Sequence, residues 1–555
     1  MEGHTLNPAL GELARAADSH TPRKPALLMI SAVYRVAATA RDVDTVARDI
    51  ALEQTVEVPE SLVKSEAIRE QVVGRVLQIE PTEADDQFDV TIGYPADVSG
   101  YQLPQLLNLI YGNISLKRQI QLIELVLPEE VLARFRGPNL GITGLRQLLG
   151  VYNRPLLATA LKPCGSSADE LARMAGEFAL GGGDVVKDDH NLHDPTFAQF
   201  CERVGRCQAA VAEANRRTGR NTLYMPNIMA PIEQLDRQLE FVVSLGIRGV
   251  LISPFILGID VVRSIAERYP LAILAHPTVS GAFFHDPTHG VPPGLLLGRL
   301  FRLMGADASI FPNFGGRFTF SDADCRDISE KLREPLGHLA PAFPAPAGGM
   351  RFDNIPQMAE QYGEDSIFLI GGALLSHSDS LSASTRAFRG RIEALFPDHR
   401  DVEPDADAFV SACEVPSANK TATGAPGFQH LPFQADYRWE GRTPTVYKVS
   451  SELAFQGVAR HEIVGTTGEQ TAFDLRYFEI APGGFSSLER HAHTHTVIGV
   501  RGIGTLIAGE DRITVAQHDV AYVPPMLVHQ LRNEGAEPFG FFCIVDHTRD
   551  RPIAP

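Results

Sequence analysis

Residues 181–192 read GGGDVVKDDHNL: a glycine turn, a two-valine apolar run, then a lysine, two aspartates and a histidine in succession. A short β-branched run behind glycines has the character of a strand buried on both faces. Side chains alternate along a strand, so Lys187 and Asp189 share one face and Asp188 takes the other. A lysine set among acids at the end of a buried strand asks for a chemical reason. The neighbouring sequence repeats the pattern.

Similar apolar runs recur on either side: PLLATALKP (155–163), TLYMPNIMA (222–230), GVLISPFI (249–256), LAILAHPTV (271–279), ASIFPNFGG (308–316), PAFPAPAGG (341–349) and SIFLIGGALL (366–375). Between them lie amphipathic stretches such as SADELARMAGEFAL (167–180) and IEQLDRQLEFVVSLG (232–246). Eight strand-like runs, each followed by helical sequence, predict a (β/α)8 TIM barrel over residues 146–412. The active site of such a barrel lies at the C-terminal ends of its strands. There the sequence places Lys162, then Lys187, Asp189 and His190, then His276, then NFGGRF, then Gly348-Gly349 and Gly371-Gly372. Asp189 and His190 offer an oxygen and a nitrogen to a metal, and the paired glycines offer backbone N–H groups to a phosphate. Singly, these features read as a structural ion pair, ordinary turns and a core histidine. Their coincidence at one end of the barrel favours a site.

Upstream, KPALLMISAVYRVAA (24–38), DVDTVARDIALEQTV (42–56), GRVLQIEP (74–81), QFDVTIGYP (87–95) and LPQLLNLIYGN (103–113) alternate as β-α-β-β-α. They predict a small ferredoxin-like α+β domain over 25–145. EVPSANKTATGAPG (414–427) has linker composition, and the linker is drawn at 413–427. Beyond it, AFDLRYFEIAPGG (472–484), HTVIGVRGIGTLIAG (495–509), DRITVAQHDVAYVPP (511–525) and PFGFFCIVDH (538–547) carry strand patterns without helical sequence. An all-β barrel or jelly roll is expected over 428–555.

The formal charge of −18 argues against nucleic acid or an anionic membrane as partner. Six cysteines without a CxxC pair suit reduced thiols and a cytoplasmic location. The N-terminal stretch has no signal-peptide pattern, and no apolar run reaches the ~18 residues of a membrane span.

RPLLATALKP, GGDVVKDDH, GADASIFPN, the AGG at 347–349 and SIFLIGGALL stand in the order and spacing of the large subunit of ribulose bisphosphate carboxylase/oxygenase (RuBisCO). YGNISLKRQIQLIELVLPEEVLARFRGPNLGI (111–142) resembles that family's bridge into the barrel, and the resemblance runs from residue 25 to about 400. It implies that Lys187 is the lysine carbamylated by CO2, which with Asp189 holds Mg2+. A carbamate supplies an extra anionic oxygen to a hard cation, which is a reason for a lysine among acids. It implies further that Lys162 moves the proton during enolisation, for which an amine with a lowered pKa is suited. By the same resemblance His276 touches substrate and Gly348, Gly349, Gly371 and Gly372 cradle a phosphate. Glu53 and Asn113 would complete the site of a neighbouring subunit, which implies a homodimer or larger homo-oligomer.

The departures are as informative. His190 stands where the family has a third carboxylate ligand, Cys164 replaces a second lysine, and Pro277 replaces an arginine that grips a second phosphate. The loop NFGGRFTFS lacks the family's carboxylation lysine, with Arg317 the nearest cation, and arginine is not an equivalent. CO2 fixation is therefore not expected, and the chain resembles the RuBisCO-like proteins (form IV). The C-terminal part resembles a cupin: GGFSSLERHAHTHTVIGVRGIG (483–504) matches the first motif and HDVAYVPPMLVHQLRN (518–533) the second. Counting back from Gly502 puts Glu489, His491 and His495 on ligand positions, with His493 competing and His529 supplied by the second motif. Such imidazoles suit Mn, Fe, Ni, Zn or Cu better than Mg.

The resemblance implies a metal-dependent enolisation of a monophosphorylated ketose. The first expectation is 5-methylthioribulose 1-phosphate isomerase fused to a cupin acting on the product. The alternatives are a transcarboxylase/hydrolase or decarboxylase of 3-oxoisoapionate 4-phosphate, or a cupin that serves as a sugar-binding regulatory module.

Overall fold

In the computed structural model the described residues are 27–402 and, within 431–546, all but 435, 440, 441, 443, 444, 447–453 and 466–470. The chain divides into two compact units between residues 416 and 417. The predicted linker 413–427 lies outside the described residues.

The first unit opens with β1 (Met29–Ala37), α1 (Val43–Glu53), β2 (Arg75–Pro81), β3 (Gln87–Pro95), α2 (Leu103–Tyr111) and β4 (Ile120–Val126). The sheet is antiparallel in the order β2-β3-β1-β4, which is the ferredoxin-like arrangement. Its fourth strand comes from QIQLIELV, inside the segment expected to bridge to the barrel. Pairing with β1 there places Leu122 and Leu125 in the core.

The barrel follows as β5 (Leu156–Ala160), α3 (Ala168–Leu180), β6 (Val185–Lys187), α4 (Phe200–Thr218), β7 (Leu223–Met225, resuming at Asn227–Ile228), α5 (Ile232–Ser244), β8 (Gly249–Ile252), α6 (Ile259–Arg268), β9 (Ala272–Ala275), β10 (Ala308–Pro312), α7 (Asp322–Arg333), β11 (Phe343–Ala347), α8 (Ile355–Tyr362), β12 (Ile367–Leu369) and α9 (Leu381–Glu393). All barrel pairings are parallel, and β12 pairs with β5 to close the circle. Pro226 interrupts β7 because it has no N–H to give. The strand's first half therefore pairs with β6 and its second with β8, and the Pro226 carbonyl still accepts from Leu251. Leu156, Ala158, Val185, Leu223, Leu251, Leu274, Ile310 and Phe343 fill the interior, while the opposite faces pack on the helices.

Buried clamps set the strand starts. Arg154 and Asp184 form a two-bonded ion pair at 2.7 and 2.9 Å, and the same carboxylate accepts the Leu157 N–H. Asp307 accepts N–H bonds from Leu140, Gly141 and Ile273, and its burial raises its pKa to about 6 against that pull.

The second unit carries β13 (Gln456–Val464), β14 (Phe473–Phe485), β15 (His495–Arg501), β16 (Gly504–Ala508), β17 (Asp511–Val515), β18 (Val520–Val523), β19 (His529–Arg532) and β20 (Phe539–Asp546). They pair antiparallel in the order β17-β16-β19-β14-β20-β15-β18, with β13 on β14. Its core is built on Phe478, Ile480, Val497, Leu506, Phe539 and Phe541. The run 495–509 turns at Gly502, which has φ 60°, and so forms two strands where the sequence pattern shows one. Among the described residues no helix is long and apolar enough to cross a membrane.

Candidate functional site

The pairing of Ala160 with Lys187, and of Lys187 with Met225, brings the ends of β5, β6 and β7 level. Lys162 follows β5, and its ammonium forms an ion pair with the Asp189 carboxylate. Asp189 is buried, and its Oδ1 also accepts the Asn191 N–H at 3.0 Å. Lys187 is 3% exposed, and its Nζ donates to the Asp188 carbonyl oxygen at 3.0 Å. Burial pushes the Lys187 amine down to about 8; the Lys162 charge adds to the fall, while Asp189 and Asp188 oppose it.

Asp188 is turned to the other face, as strand alternation requires. Its carboxylate accepts Arg203 Nε at 3.2 Å, the Tyr224 hydroxyl at 2.8 Å and the Asn227 N–H at 3.1 Å. It is a wall residue. Asn227 in turn donates to the carbonyl oxygens of His190 and Leu192, fixing the loop after β6. Asn227 and Arg203 escaped sequence reading because neither stands in a charged run; the only signal was their polarity on an apolar strand and helix face.

His190 Nδ1 lies 3.4 Å from Asp189 Oδ1, and its ring stacks on His276 with centroids 4.3 Å apart and planes at 14°. Burial holds both imidazoles below their usual range, His276 down to about 2, so they stay neutral. The Thr278 N–H donates to His276 Nδ1 at 3.3 Å, which leaves the ring proton on Nε2. An unprotonated imidazole beside a carboxylate and a buried amine is a donor set that fits a divalent cation, once CO2 has converted the amine to an anionic oxygen ligand.

Gly348 and Gly349 adopt φ of 82° and 71°, the left-handed region. A side chain at Gly349 would strike Gly316, so the loops after β10 and β11 press backbone to backbone. Gly348, Gly371 and Gly372 face open space, as a backbone cradle must. Arg317 is exposed and lies over the ring of Phe318 at 5.0 Å. Glu53 and Asn113 hydrogen bond to each other at 3.0 Å on the surface of the ferredoxin-like sheet. Cys164 is exposed, and Pro277 is half-buried beside His276.

In the second unit, ligand atoms of His491, His495 and His529 all lie within 4.8 Å of one another. His491 Nδ1 bonds the His493 carbonyl at 2.8 Å and His529 Nδ1 bonds the Leu527 carbonyl at 2.9 Å. A carbonyl only accepts, so each Nδ1 carries the proton and each Nε2 keeps its lone pair, the tautomer a metal needs. His491 Nε2 is buried without a hydrogen-bond partner. Burial, then the charges of His491, His529 and Arg476, holds His495 well below the ordinary imidazole range. The triad therefore fits a transition metal. Of the two other candidates, His493 stacks on His491 at 3.7 Å with its Nε2 3.3 Å from that of His495. Glu489 accepts the Ser487 hydroxyl at 2.5 Å and pairs through its backbone with His529.

The family model "Ribulose bisphosphate carboxylase large chain, catalytic domain" matches residues 141–318, and the cupin domain model matches 476–545. The chain is 41% identical over 361 residues to 5-methylthioribulose-1-phosphate isomerase of Rhodospirillum rubrum, covering 65% of this chain and 95% of that protein. It is 35% identical over 311 residues to 2,3-diketo-5-methylthiopentyl-1-phosphate enolase of Geobacillus kaustophilus, 55% of this chain and 75% of that one. The crystal structure of a RuBisCO-like protein from Rhodopseudomonas palustris superposes with a TM-score of 0.60 at 37% identity, over 66% of this chain and 97% of that one.

Proposed function

This chain belongs to the RuBisCO-like proteins, and we propose that its barrel enolises a monophosphorylated ketose, acting as a 5-methylthioribulose 1-phosphate isomerase. The observation that carries this reading is the cluster at the ends of β5 and β6. There Lys162 is paired with Asp189 beside the buried Lys187, whose amine is pushed down to about 8. Lys162, as the free amine, takes the substrate α-proton, and Asp189 pairs with the ammonium that results. Carbamylated by CO2, Lys187 would join Asp189 and His190 in holding Mg2+. When bound, that cation polarises the substrate carbonyl and so acidifies the neighbouring C–H. His276, fixed as the Nε2–H tautomer, donates a hydrogen bond to a substrate oxygen and stays neutral through the cycle. The glycine loops after β11 and β12 take one phosphate, and Pro277 offers no charge for a second.

The cupin is read as a second catalytic module, with His491, His495 and His529 holding a transition metal and acting on the barrel's product. The relative from R. rubrum carries the isomerase name, and a fused cupin fits consecutive steps on one metabolite. The branched oxo-acid phosphate is the alternative substrate, with Arg317 and His190 the residues that would hold its carboxylate.

Phosphorus-31 NMR of the purified protein with Mg2+, bicarbonate and each candidate phosphate tests the reading. Conversion of 5-methylthioribulose 1-phosphate to a new ketose phosphate is expected. Turnover of the oxo-acid phosphate alone would replace the isomerase with carbon–carbon cleavage.

A further inference from the structure

Strand β14 carries Asp474, Arg476, Phe478 and Ile480 at alternate, buried positions, and Phe478 and Ile480 belong to the core of the cupin. Arg476 is 8% exposed. It stands opposite Cys543 in register, and Cys543 stands opposite Val497, two residues from His495. Its Nη2 donates to the Cys543 sulfur at 3.8 Å and its guanidinium lies over the Phe478 ring at 5.3 Å. A thiol and a ring face are weak partners for a full positive charge. Its Nε is buried with no acceptor, and among the described residues no carboxylate lies within ion-pair distance of it. Glu462 stands opposite it in register, but that carboxylate is paired to Arg460 at 3.0 Å.

A buried cation without a counterion is strongly disfavoured, and proteins seldom keep one that has no use. A second orphaned donor adjoins the triad in sequence: Arg490 Nε, in the residue before His491, is also buried without an acceptor. Arg490 precedes His491 in the chain, and Arg476 stands across β20 from the strand that begins at His495.

We propose that Arg476 is the anion-binding residue of the cupin, and that the cupin's ligand is a small molecule whose phosphate or carboxylate oxyanion seats on this guanidinium beside His491, His495 and His529. A planar fork of donors suits either oxyanion. The phosphate form rests on the cupin's taking the barrel's phosphorylated product; the oxyanion site itself does not.

Calorimetric titration of the full-length protein with inorganic phosphate and, separately, acetate tests it, in the wild type, Arg476→Met and Arg476→Lys. The wild type is expected to bind one more phosphate per chain than Arg476→Met, in which that class weakens about ten-fold or more. Arg476→Lys keeps it, and metal content per chain is the same in all three. The chain's one tryptophan, Trp439, packs on Tyr477 with centroids 5.2 Å apart, so its emission assigns the site to the cupin. Ligand-free Arg476→Met should melt no lower than the wild type, whereas an arginine kept for structure would lower the melting point when lost. Superimposable isotherms for wild type and Arg476→Met overturn the proposal, as does an early-melting Arg476→Met whose Lys counterpart binds no oxyanion. Acetate binding without phosphate binding keeps the site and contradicts the phosphorylated-product reading, separately from any result on the barrel.

Discussion

Lys187 sits under two opposed influences. Burial favours the neutral amine and Asp189 and Asp188 favour the ammonium; burial prevails and places the midpoint near 8. CO2 reacts only with the neutral form, which predominates above that midpoint. The neutral fraction is about a tenth at pH 7, half at pH 8 and nine-tenths at pH 9. At fixed dissolved CO2, the extent of activation should therefore climb through pH 7–9, not two units higher as for a solvated lysine. Rapid-dilution assays after preincubation at each pH will show the climb, and a flat profile would contradict it. In the cupin, His491→Ala removes the buried Nε2 from the triad and is expected to lower metal per chain at least about ten-fold by elemental analysis, with the barrel's turnover intact. Period-two alternation made the opposite facing of Lys187 and Asp188 legible from residue order alone. The stacking of His190 on His276 was not, because it depends on how two loops approach. Nor was Arg476: a lone arginine in AFDLRYFEI reads as a solvated side chain until the register shows that its face is the inner one.

At the scale of elements, strand order follows from buried side chains that fix strand starts as much as from the apolar runs. Asp184 ties Arg154, at the entry to β5, to the first N–H bonds of that strand, with both side chains out of water. Asp184→Ala leaves a buried guanidinium with only the more distant Asp401 carboxylate at 3.7 Å, and should cost about 3 kcal/mol in urea unfolding. A loss under 1 kcal/mol would mean that solvent reaches the pair. The eight strand runs and their polar C-terminal ends were readable because burial on both faces leaves continuous apolar sequence. The fourth strand of the ferredoxin-like sheet was hidden because IQLIELV is apolar at five of its seven positions and alternates only weakly. In β7 the break at Pro226 is plain in TLYMPNIMA, yet only the sheet shows that the two halves pair with different neighbours.

At the scale of the molecule, Glu53 and Asn113 are hydrogen bonded to each other at the surface of the ferredoxin-like domain. If each chain lends that pair to its neighbour's barrel, inactive Lys187→Met and Asn113→Ala proteins should complement when refolded or coexpressed as a mixture. Random pairing makes about half the dimers mixed, each with one intact site of two, so about a quarter of wild-type turnover is expected. No recovery would place Asn113 outside the partner's site. Helical periodicity is lost in the sequence beyond the 414–427 stretch, although which of five clustered Glu and His side chains converge required the strand register.

The barrel's lysine cluster is assigned the enolisation. The most direct test follows 5-methylthioribulose 1-phosphate by phosphorus-31 NMR with four full-length proteins side by side: wild type, Lys162→Met, Lys187→Met and His491→Ala. Formation of the new ketose phosphate by wild type and His491→Ala, and by neither lysine variant, is the predicted result. Turnover that survives Lys162→Met, or that disappears in His491→Ala, would contradict it.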